Sequence, residues 1–124
     1  MDKKEFISNQ MDFLSVPYET EEWTDKITYP YCVGDFSEEE PMTEDGAEQS
    51  TCMVTMFQRG SYVEMEIIKE KIKKHFNKTY GLRAQTNSGT IAVFYAGAFY
   101  IPSGEKDLKK MQINLRIQEW KGEE

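Results

Sequence analysis

Histidine, cysteine and long apolar runs are what this 124-residue chain has least of. Its one histidine, His75, has no second imidazole to share a zinc ion with, and Cys32 and Cys52 stand at no ligand spacing from it. Two cysteines are also too few for a disulfide framework, so both are expected to be buried, reduced thiols on strands. Gly-x-Gly-x-x-Gly and the phosphate-loop motif are missing. So are the Gly-x-Ser-x-Gly elbow and an Asp-x-Asp-x-Asp-Gly calcium loop. Without these, nucleophilic, dinucleotide and metal chemistry have no visible site. The expectation is a protein that is not an enzyme, with no catalytic residues, no metal and no cofactor. No apolar stretch approaches the ~18 residues that span a bilayer. The start, Met-Asp-Lys-Lys-Glu-Phe, is not followed by the apolar core of a secretory signal, so the protein is expected to be made and used in a cytoplasm, or assembled there.

What is present is negative charge and aromatic bulk. Twenty-two acidic residues outnumber fifteen basic ones, for a net charge of −7, and 13% of residues are aromatic. Tight grip on a phosphate backbone needs clustered Lys and Arg. The densest basic stretch, Lys69, Lys71, Lys73 and Lys74, is interleaved with Glu66 and Glu70 and reads as the wet side of a helix. The aromatic content argues for a folded core.

The length suits one domain over residues 1–124. Ile7, Met11 and Leu14 fall at helical spacing and predict a helix over Asp2–Leu14, ended by Pro17. Val16–Lys26 reads as an irregular connection with Trp23 as a core anchor. Ile27–Phe36 and Thr51–Gln58 read as strands. The acidic stretch between them, about 37–50, reads as a mobile loop carrying Glu38, Glu39, Glu40, Glu44, Asp45 and Glu48. Ser61–Phe76 reads as the second helix. Ser61 and Glu64 have capping-box spacing, and Met65, Ile68, Ile72 and Phe76 form an apolar stripe widened by Ile67. His75 near its end suits the helix dipole. Arg83–Ser88 is open between loop and short strand. Leu108–Trp120 alternates strictly, with Met111, Ile113, Leu115 and Ile117 on one face, as a strand with one dry side does.

The strand between these last two differs. In Thr90–Ile101, Ile91, Val93, Tyr95, Phe99 and Ile101 share one parity, and Ala92, Phe94, Ala96, Ala98 and Tyr100 share the other. Both faces are apolar, and the strand is expected to bend near Gly97. Something must cover the second face. The fold class expected is α+β: an antiparallel sheet of four to five strands with two helices packed on one face, in the order helix-strand-strand-helix-strand-strand.

Several phrases resemble a known family. They are Val33-Gly34-Asp35-Phe36, the acidic stretch with Thr43-Glu44-Asp45-Gly46, and Phe57-Gln58-Arg59-Gly60-Ser61 leading into a helix. Gly89-Thr90-Ile91-Ala92-Val93-Phe94-Tyr95 and Lys109-Lys110-Met111-Gln112-Ile113-Asn114-Leu115 complete the set. Over Tyr31–Trp120 the chain resembles the tail-terminator, or tail-completion, proteins of long-tailed phages and prophages of Gram-positive bacteria, also called head–tail joining proteins. The resemblance implies a structural virion subunit, assembled in the host cytoplasm as a hexameric ring. Such a ring caps the tail tube and meets the head connector, with the tail-tube and head-connector proteins as partners. DNA passes through without specific binding, and no membrane is involved. A ring needs lateral contacts, for which Phe94, Ala96, Ala98 and Tyr100 are the candidates. The acidic residues Glu38, Glu39, Glu40, Glu44, Asp45 and Glu48 would line the lumen, where like charge lets DNA slide, or dock a neighbour, or else form a solvated loop that promotes solubility. The alternative is a small cytoplasmic ligand-binding or regulatory domain, with Tyr95, Phe99 and Tyr100 walling a pocket.

Overall fold

The computed structural model describes residues 2–38, 47–86 and 89–121. The chain runs α1 (Lys3–Phe13), β1 (Tyr18–Thr20), β2 (Tyr31–Glu38), β3 (Ala47–Arg59), α2 (Val63–His75), β4 (Leu82–Thr86), β5 (Gly89–Ile101) and β6 (Leu108–Lys121). The six strands form one sheet in the order β1-β2-β3-β6-β5-β4.

This corrects the expected architecture. The molecule is mostly sheet, a six-strand mixed half-barrel with two helices, and not an antiparallel sheet of four to five strands with helices packed on one face. Two short strands account for the extra count. Tyr18–Thr20 lies in the stretch read as irregular, yet it pairs in parallel with β2, Tyr18 opposite Cys32 and Thr20 opposite Gly34. Three residues are too few to carry a periodicity. Leu82–Thr86 pairs antiparallel with β5 and forms the other edge. The curl follows from strand length: β3, β5 and β6 run 13, 13 and 14 residues, and the right-handed twist of each strand accumulates along such lengths.

Sequence-level boundaries shift for local reasons. Asp2 caps α1, its carboxylate accepting from the Glu5 amide at 2.9 Å. The expected capping box on α2 does not form. Tyr62 is the N-cap and has no side-chain cap bond, while the Ser61 hydroxyl accepts from the Val63 amide at 3.1 Å. β2 begins after Pro30, so the proline removes no ladder bond. β2 and β3 also extend into the stretch read as a loop, pairing as far as Glu38 with Ser50, and Ser50 is buried.

The inner sheet face holds Cys52, Val54 and Met56 of β3 with Met111, Ile113, Leu115 and Ile117 of β6. Against them sit Phe6, Ile7 and Met11 of α1, Met65, Ile68 and Ile72 of α2, and Phe76 just beyond it, all in one cluster. Cys32 and Cys52 are free and fully buried within it, and burial pushes both thiols up to about 12. They behave as small hydrophobes and carry no thiolate chemistry. Trp23 is not a core anchor: it is half-buried outside this cluster, its ring 5.0 Å from that of Tyr31.

Candidate functional site

Strand β5 changes character at its middle. Its pairing with β6 runs Val93 to Ile117 and Tyr95 to Leu115. It then skips Ala96, and resumes with Gly97 opposite Asn114, Ala98 opposite Ile113 and Tyr100 opposite Met111. Directly opposed residues share a face. The extra residue of this bulge therefore swaps parity. Before it the inner residues are Ile91, Val93 and Tyr95; after it they are Ala98 and Tyr100.

The four residues expected to form one lateral contact are consequently split. Phe94 points outward but is buried by its own chain, at 6% exposure. The Arg116 guanidinium lies 4.8 Å above its ring, and a Cβ added to Gly81 would lie 2.7 Å from it. Ala96 is the exposed, unpaired residue of the bulge. Ala98 packs against the core. Tyr100 is 43% exposed and leans on α2. The structure brings no two of these onto a shared free surface, because one inserted residue defeats an argument from alternation.

What it does bring together is Tyr100 with α2. The Tyr100 and Tyr62 rings meet edge to face at 5.0 Å, and the Tyr100 hydroxyl donates to the Glu66 carboxylate at 2.8 Å. Burial, and then the bond to Glu66, pushes the Tyr100 phenol up to about 12. Lys69 pairs with the same carboxylate and helps to hold it below the usual range. Lys109 sits 4.7 Å above the Tyr62 ring. Next to Tyr62, Val63 and Ile67 are 62% and 53% exposed and line a shallow apolar depression with it. Ile67 thus does not widen the buried stripe of α2. With Val63, one turn earlier, it forms a second stripe on another side of the helix. The spacing Val63–Ile67 was the available signal, since a helix with apolar residues on two sides has two things to bury.

The three residues named for the pocket alternative do not share one of the described clefts. Tyr95 borders a cleft with Lys73, Lys78 and Arg116, Tyr100 borders a different one with Tyr62, and Phe99 is 51% exposed. Of the acidic residues, Glu39, Glu40, Glu44 and Asp45 lie outside the described residues. Glu38 ends β2, and Glu48 lies on β3 opposite Glu119. His75 does more than decorate a helix end. Its Nε2 is 2.7 Å from Gln10 Oε1 and its ring stacks on Phe13 at 5.6 Å, which ties α2 to α1. Burial holds its pKa below the ordinary 6.5.

Among the described residues no group of three His, Cys, Asp or Glu side chains could hold a metal ion. No described helix is long and apolar enough to cross a membrane. No family model matches the chain, and no curated protein matches it.

Proposed function

We propose that this chain is a non-enzymatic assembly subunit that packs against copies of itself to build a ring. In the setting implied by its resemblance to tail-terminator proteins, the ring caps a phage tail tube and joins it to the head connector, and DNA passes through the lumen. The observation that carries this reading is the apolar patch of Tyr62, Val63 and Ile67, with Tyr100 against Tyr62, which the described chain leaves about half exposed. Isolated exposed hydrophobes are ordinary, but a contiguous group rimmed by Glu70, Lys71 and Lys74 is what an interface looks like before its partner arrives. The net charge of −7 suits a conduit for DNA better than a grip on it. Electron microscopy of particles assembled without this chain tests the proposal. Overlong or headless tails are expected. Tails of normal length joined to heads would contradict it.

A further inference from the structure

The outer edge of β5 is only half occupied. β4 pairs along it as far as Leu82 opposite Val93, and no other described strand pairs with β5 on that side. Tyr95 still finds a partner there, its amide donating to the Phe76 carbonyl at 2.7 Å. From Ala96 to Ile101 no described strand pairs with that edge. An edge of this kind is a template for a further strand.

Positive charge gathers where this free edge begins. Lys73, Lys78 and Arg116 line a cleft of about 400 Å³ with Tyr95, Ala96 and Gly97. Gly97 supplies the opening: at φ +126° it has no side chain, and nothing lies within 4 Å of where a Cβ would stand. Lys73 approaches from the helix side, its Nζ 6.0 Å from the Tyr95 ring. Arg116 approaches from the outer face, beside Phe94. The cleft contains no carboxylate. Some cations elsewhere are matched, as in Lys4–Glu21, Arg59–Glu105 and Lys69–Glu66, while exposed lysines such as Lys26 and Lys74 are in no ion pair among the described residues. Among the described residues Lys73, Lys78 and Arg116 form no ion pair. Arg116 Nε is moreover buried and has no hydrogen-bond acceptor among the described residues.

From the open edge and the unmatched cations at its head, we infer that Ala96–Ile101 receives an extended peptide strand from a partner protein, with a carboxylate of that strand seated between Lys73, Lys78 and Arg116. The two parts divide the work: backbone pairing along the edge supplies affinity, and the cations select an acidic residue and set the register. A phosphate chain would meet the same cations. It has no alternating N–H and C=O groups to pair with the edge. Tyr100 lies both on this edge and in the α2 patch, but the cations that select the strand, Lys73, Lys78 and Arg116, are not among the apolar residues of that patch, so the Lys73→Glu and Lys78→Glu pair tests the strand site separately from the ring.

The test uses the full chain and an acetylated hexapeptide of alternating valine and glutamate, with its glutamine counterpart as control. By titration calorimetry at low salt the glutamate peptide should bind about tenfold tighter than the glutamine one. Amide exchange should slow at Ala96–Ile101 when it binds. The pair Lys73→Glu and Lys78→Glu changes two exposed side chains. It should leave thermal melting unchanged and weaken the glutamate peptide by about tenfold or more. Equal binding of the two peptides, no binding of the glutamate peptide, or its displacement by a lower concentration of oligothymidylate would each overturn the inference.

Discussion

The two halves of β5 are made of nearly the same residues and meet opposite fates. Ile91–Phe94 and Ala98–Ile101 are both apolar at every position. The first is buried on both faces, while Phe99 and Tyr100 in the second stand exposed. The difference lies in the neighbours. The first half has β4 at its side, the Gly81 backbone under Phe94 and a guanidinium above that ring. The second half lies beyond the end of β4 and beyond a bulge that exchanges its faces. A strand that is apolar front and back therefore does not by itself call for a second subunit. Its own chain can sheath it, and only what remains uncovered bears on assembly.

The largest expected effect separates the halves directly. Phe94→Ala should cost about 3–5 kcal/mol in chemical denaturation, as truncation of a buried aromatic does. Phe99→Ala should stay within about 0.5 kcal/mol, as exposed substitutions do. Equal losses would mean that the halves are packed alike. A smaller effect is expected at Gly81, where φ is +68° and a Cβ would meet the Phe94 ring at 2.7 Å. Gly81→Ala should destabilise by about 1–3 kcal/mol, and in the Phe94→Ala background the steric part of that loss should vanish.

The smallest effect concerns the far end of α2. The folded His75 pKa lies below 6.5, so as pH falls the unfolded chain takes up this proton first. Its contribution is complete above about pH 6.5 and is lost as pH drops through the folded value. Comparing the chain with His75→Gln between pH 5 and 8 should show a small acid-side loss in the former that the variant lacks; parallel curves would remove His75 as a helix-to-helix tie.

Individual elements were legible in the sequence but the fold class was not, and the misses have physical causes. Met111, Ile113, Leu115 and Ile117 alternate because β6 is central with one wet face, and that pattern reads directly. The buried thiols and the apolar stripe of Met65, Ile68 and Ile72 read equally well. Tyr18–Thr20 did not, because three residues show no period and a parallel partner lies across a long connection. The interface set Phe94, Ala96, Ala98 and Tyr100 failed at one inserted residue, since nothing in Tyr95-Ala96-Gly97 marks which position will go unpaired. Gly97 hinted at a bend, but a bend and a change of parity look the same in one dimension. Val63 and Ile67 were hidden by their own helix: beside a clear core stripe, further apolar residues read as its widening.

The central claim is that the patch of Tyr62, Val63, Ile67 and Tyr100 is covered by another copy of this chain. Sedimentation velocity over a wide concentration range measures it most directly, comparing the chain with the Val63→Glu and Ile67→Glu pair. Both residues are more than half exposed, so the pair should fold and melt normally. The expected result is concentration-dependent association of the unaltered chain that the pair abolishes. Indistinguishable sedimentation of the two, whether both associate or both stay monomeric throughout, would contradict it.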